Sequence, residues 1–82
     1  MGEETTESQP LSDLRPGDKG KVVAIELPGS ARGRIMELGL TAGITVEVVR
    51  FAPLGDPMDI KVRGGHLSLR KAEAAGIRVQ KL

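Results

Sequence analysis

The sequence predicts a mainly β domain: a small barrel of five short strands, with one short helix inserted after the first strand and a helical turn near the C-terminus. Three observations carry this expectation. Apolar residues alternate with period two or cluster as β-branched runs in several short segments. Glycine and proline bound those segments at Pro16-Gly17, Pro28-Gly29, Gly39 to Gly43, Ala52 to Pro57 and Gly64-Gly65. The helical stretches are few and short, and closing the strands into a barrel removes edges that a small open sheet exposes.

The first ten residues, M-G-E-E-T-T-E-S-Q-P, hold three glutamates and no large apolar residue after Met1. They lack the surface needed to offset ordering entropy, so residues 1–10 read as a disordered leader whose removal leaves the fold nearly unchanged, and 11–82 as the domain. Leu11 to Leu14 suits one helical turn capped by Ser12, and Arg15-Pro16-Gly17-Asp18 reads as a tight turn. Lys21 to Leu27 follows as the first strand, with Val23, Ile25 and Leu27 on one face. Pro28-Gly29 stops it. Ser30 then suits the N-cap of a helix from Ala31 to Leu38, whose apolar stripe is Ala31, Ile35 and Leu38. Gly39 stands where a left-handed terminator belongs, with Leu40 placed to fold back.

The second strand, Ile44 to Ala52, is rich in β-branched residues and carries the only aromatic, Phe51. Asp59 to Arg63 is the third, and Gly64-Gly65 marks a hairpin into His66 to Leu69. A helical turn from Lys71 to Ala75 ends at Gly76. Ile77 to Leu82 closes the chain with Ile77 and Val79 alternating.

Composition excludes several functions. There is no cysteine, so neither disulfides nor thiolate metal sites are available. No apolar run approaches the roughly 20 residues of a membrane span, which removes direct membrane insertion and points to a cytoplasmic protein. Twelve Lys and Arg against eleven Asp and Glu leave a formal charge of +1. That balance, with a single aromatic for stacking, argues against nucleic acid. No enzyme chemistry is visible: His66 is the only imidazole, and neither Ser30 nor Ser68 sits in a strand-to-helix elbow. Gly17-Asp18-Lys19-Gly20-Lys21 lacks phosphate-loop spacing and precedes a strand instead of a helix.

Asp56, Asp59 and His66 are the donors that a weak divalent-cation site would draw on. Three donors fall short of the four convergent ligands of a tight site, so the favoured reading gives Asp56 to its own turn and leaves the other two solvated, with no tightly bound cofactor. Arg32 and Arg34 read as the solvated face of the helix.

From Leu38 to Met58 the chain reads L-G-L-T-A-G-I-T-V-E-V-V-R-F-A-P-L-G-D-P-M. This resembles the FeoA family, small cytosolic accessory proteins of bacterial ferrous iron uptake, whose pattern is a leucine-glycine helix end, a P-G-like turn, then V-x-R-x-A-P-x-G-D-P. Leu14 to Gly17, Leu69-Arg70, Glu73-Ala74, Ile77 and Val79 extend the resemblance from about Leu11 to the end. It implies an SH3-like barrel that contacts the cytosolic part of FeoB, a membrane transporter with a GTP-binding domain, as a monomer or weak homo-oligomer. The same domain also occurs fused to metal-dependent transcription regulators, so a metal-binding or metal-sensing regulatory domain is the alternative, with Fe²⁺ or a similar divalent metal weakly held.

Two apolar, glycine-bearing protrusions are the expected partner-binding surface: Leu38, Gly39 and Leu40 on one, and Leu54, Gly55, Asp56, Pro57 and Met58 on the other. Rigid turns that hold apolar groups outward lose little entropy on docking. Core packing is the competing role for all three of Leu40, Leu54 and Met58.

Overall fold

A computed structural model describes residues 7–82. Six antiparallel strands form one sheet in the order β1-β6-β2-β3-β4-β5. They are β1 (Gln9–Pro10), β2 (Lys19–Ile25), β3 (Thr45–Phe51), β4 (Met58–Val62), β5 (Gly65–Leu69) and β6 (Ile77–Lys81). Helix α1 (Gly29–Glu37) joins β2 to β3, and α2 (Lys71–Ala75) joins β5 to β6. A 3-10 turn at Leu11–Asp13 follows β1. The mainly β expectation holds, with one more strand than predicted.

That extra strand corrects the leader. Gln9 pairs with Val79 and Pro10 with Arg78. Arg78 reaches past them, donating from Nε to Ser8 Oγ (3.1 Å) and from Nη2 to the Ser8 carbonyl (2.6 Å). Paired backbone needs no apolar side chains, which is why composition alone missed it. Residues 1–6 of the expected leader lie outside the described residues.

One face of the sheet carries the core. Val22, Val46, Val48, Met58, Ile60, Leu69, Ile77 and Val79 are fully buried there. Leu11 and Leu14 from the N-terminal turn, Ile35 and Leu40 around α1, and Ala74 from α2 complete it. Among the described residues no polar or charged side chain is buried. Gly20 lies so close to Val79 and Leu14 that a Cβ there would meet both at about 3 Å.

The first strand departs from the expected phase. Val22 is buried and its neighbour Val23 is 38% exposed, and the β2–β6 register shifts between Val22 and Ala24. A residue inserted by a bulge resets the alternation, so Ile25 and Leu27 still pack against the core although Val23 does not. A second shift between Val48 and Arg50 leaves both Val49 and Arg50 outward in β3 and returns Phe51 to the core side.

Helix α1 begins earlier than expected. Pro28 is its N-cap, without a side-chain hydrogen bond, and Ser30 lies inside the first turn. Its end matches the reading of Gly39, whose φ is +95°. The Gly39 N–H donates to the Met36 carbonyl (3.0 Å) and the Leu40 N–H to the Ile35 carbonyl (3.3 Å). These two bonds are the Schellman pattern, and they turn Leu40 back beside Ile35 in the core. The β4–β5 hairpin turns at Arg63-Gly64, one residue before the predicted pair, with φ of +52° and +81°. Positive φ at both central residues makes this a type I′ turn, whose twist matches the strands it joins.

Gly39→Val is expected to destabilise the chain by about 1–2 kcal/mol, since a β-branched residue resists positive φ. For a domain of this size the melting temperature should fall by roughly 4–16 °C in a thermal unfolding experiment.

Candidate functional site

The loop between β3 and β4 is a short, self-bonded excursion. Ala52 N–H donates to the Pro57 carbonyl (2.9 Å) and Gly55 N–H to the Ala52 carbonyl (2.7 Å). Gly55 has φ of +86°, and the Asp56-Pro57 peptide is cis. The closed turn leaves Leu54 at its tip, 96% exposed. No other large apolar side chain described is so far out of the protein.

Asp56 does not close its own turn, as the sequence reading had it. Its Oδ1 accepts a hydrogen bond from the Lys71 backbone N–H (3.0 Å), 15 residues away. That N–H is among the orphan donors at the start of α2, so Asp56 caps the helix from another loop. Glu73, in the first turn of α2, accepts from the Arg70 N–H through Oε1 (3.0 Å) and pairs through Oε2 with Arg34 of α1. Helix α2 therefore ties the loop of Leu54 to α1. Arg34, read as simply solvated, is engaged in this link, while Arg32 is exposed.

The two expected protrusions are only partly exposed. Leu38 is 37% exposed and Leu54 stands free, but Leu40 and Met58 are fully buried. The Schellman turn carries Leu40 inward. Met58 is the first residue of β4, pairs with Phe51 and Leu69, and points to the core face. Gly39 and Gly55 supply positive φ, and the Pro57 carbonyl closes the loop by accepting from the Ala52 N–H. Met36 of α1, 43% exposed, joins Leu38 as an apolar surface residue that the stripe assignment missed.

The three candidate metal ligands are not brought together, and among the described residues no three His, Asp or Glu side chains cluster. Asp56 is held at α2. Asp59 Oδ1 accepts from Ser68 Oγ (2.7 Å), and Oδ2 accepts from Arg50 Nε (2.9 Å). His66 lies opposite Lys61, while Asp59 lies opposite Ser68. The Ser68 hydroxyl first, and then the Arg50 guanidinium, hold the Asp59 carboxyl below its ordinary pKa. Among the described residues no helix is long and apolar enough to cross a membrane.

These features define a small SH3-like β domain that presents an apolar loop tip beside a short capped helix. The chain belongs to the FeoA family: the FeoA domain pattern matches residues 9–81. It is 41% identical over 70 residues to the Fe(2+) transport protein A/Fe(2+) transporter FeoB fusion protein of Porphyromonas gingivalis, covering 85% of this chain and 8% of that protein. The solution structure of the FeoA protein of Chlorobium tepidum superposes with a TM-score of 0.85 at 42% identity, over 90% of this chain and 70% of that one. The crystal structure of Stenotrophomonas maltophilia FeoA complexed with zinc, described as an SH3 domain protein, gives 0.76 at 26% identity over 90% and 89%. A manganese-dependent transcriptional repressor shares the fold alone, at 19% identity with a TM-score of 0.86 over 95% of this chain and 43% of that one.

A carboxyl whose pKa is depressed by folding adds stability that is full above its unfolded value of about 3.9 and is lost as pH falls through the folded value. Melting temperatures should therefore drop more steeply below about pH 4 for the wild type than for Asp59→Asn. Parallel acid profiles would remove this contribution.

Proposed function

We propose that this chain is a non-enzymatic binding module of ferrous iron transport that docks on the cytosolic part of a FeoB-type GTPase transporter and modulates it from the cytoplasm. The observation that carries the reading is the 41% identity to a segment of a protein that names both a Fe(2+) transport protein A and a FeoB transporter. Fusion holds two parts at an effective concentration of roughly millimolar, so a modest contact between them is enough.

Leu54 is the docking anchor in this account. Its loop is closed by its own backbone bonds and pinned to α2 by Asp56, so little freedom is lost when the leucine enters a pocket. Leu38 is the second apolar contact. Leu40 and Met58 act from the core, Gly39, Gly55 and Pro57 shape the two turns, and Asp56 ties its loop to α2.

Leu54→Asp should weaken binding to the isolated cytosolic domain of such a transporter by about 1–3 kcal/mol, roughly 5- to 150-fold. Its melting curve should match the wild type, because an exposed leucine leaves no cavity. Titration calorimetry with parallel melts checks both. Equal affinity of a folded Leu54→Asp contradicts the assignment.

The donors at Asp56 and Asp59 are already engaged by Lys71, Ser68 and Arg50, so no tight metal site is expected in the isolated chain. Anaerobic Fe²⁺ titration, or Zn²⁺ as surrogate, should find nothing tighter than about micromolar. A saturable nanomolar site at one metal per chain would favour a metal-binding role instead.

A further inference from the structure

Among the described residues the sheet ends on one side at β5, which pairs with β4 and with no other strand. The type I′ turn at Arg63-Gly64 makes Val62 and Gly65 a hydrogen-bonded pair. Alternation along the ladder then bonds Ile60 to Leu67 and Met58 to Leu69, leaving the N–H and C=O of His66 and Ser68 directed away from β4. Among the described residues no backbone bond reaches those groups. The opposite edge differs: β1 is two residues long and carries Pro10, which has no N–H to offer.

Proteins commonly guard such an edge with a charged side chain or a proline within the strand. The sequence of β5, Gly65-His66-Leu67-Ser68-Leu69, has neither. Charge lies instead at its two ends, where Arg63 precedes the strand and Arg70 and Lys71 follow it, all exposed. A second copy of the same strand laid antiparallel would bring Arg63 of one chain against Arg70 and Lys71 of the other. That arrangement repels. Of the nearby carboxylates, Asp59 is paired with Arg50 and Glu73 with Arg34, which leaves Asp56, bonded to the Lys71 backbone N–H, as one negative charge against three cations.

We propose that β5 is a docking edge for an extended segment of another protein that carries acidic residues at both ends, added to the sheet as a seventh strand. Main-chain bonds at His66 and Ser68 supply the register, and Arg63, Arg70 and Lys71 select the acidic flanks. The far end of this edge adjoins the Leu54 loop, since Met58 pairs with Leu69 and Asp56 bonds to Lys71. A strand seated on β5 thus leads toward the apolar tip. The inference stands on the edge geometry and does not require the partner to be a transporter.

The test is a titration of the ¹⁵N-labelled chain with a blocked heptapeptide, Glu-Thr-Val-Thr-Val-Thr-Glu, followed by NMR and amide exchange. The His66 and Ser68 amide protons should move downfield and exchange at least about tenfold more slowly. A peptide with lysine at both ends should bind at least about tenfold more weakly at low salt. Methylating alternate peptide nitrogens should abolish binding. His66→Pro removes only an outward N–H, which an edge strand tolerates, and should also abolish binding while the melt stays within a few degrees of wild type. Unchanged β5 amides at saturation, equal affinity for the acidic and basic peptides, or full binding of the N-methylated peptide would overturn the proposal. The N-methylated peptide keeps the test decisive if His66→Pro fails to fold.

Discussion

Five residues of helix, Lys71 to Ala75, hold the surface of this protein together. The start of α2 receives Asp56 from the β3–β4 loop, and its Glu73 reaches Arg34 on α1. Without the first contact the Leu54 loop would keep only its own two backbone bonds. Without the second, α1 would rest mainly on Ile35 and the Schellman turn that follows it. A helix this short is not stable by propensity. It persists because Ala74 is buried, its first N–H groups are capped, and Gly76 packs closely under Leu27 and the Glu26 carbonyl, where a Cβ would come within 3 Å.

The division of labour between core and surface follows from that arrangement. A sheet with a single buried face cannot hide every apolar residue, and the two bulges deliberately change which ones it shows. Val23 and Val49 emerge where the bulges fall, while Leu54 emerges where a loop is tied down at both ends. Scattered exposed valines are ordinary on any protein surface. A nearly fully exposed leucine on a closed loop is not, because its position is fixed by hydrogen bonds that the fold could have satisfied in water. The proposed role in docking rests on that contrast.

Local chemistry was legible in the sequence and long-range chemistry was not. Gly39 announced a left-handed helix end because few other residues adopt that φ, and the alternation in β4 and β6 announced their buried faces. Phase errors arose where a bulge inserts a residue, since a period-two pattern has no marker for Val23. The strand at Gln9–Pro10 was invisible because its partners, Val79 and Arg78, lie at the far end of the chain. Leu40 and Met58 share a sequence neighbourhood with Leu38 and Leu54, yet backbone direction sends one pair inward and leaves the other at the surface. The candidate metal donors failed for a similar reason: Asp56 and Asp59 are three residues apart, but one is bonded to a helix start and the other to its cross-strand neighbours.

The central claim is that this domain meets its partner through the rigid Leu54 loop. Amide hydrogen exchange across the whole chain, with and without the cytosolic domain of a FeoB-type transporter, tests it most directly. The account predicts added protection at Leu54, Gly55 and Asp56 on binding, with β1 and the β2–β6 ladder unchanged. Protection confined to β1, β2 and β6, with the loop exchanging as in the free chain, would contradict it.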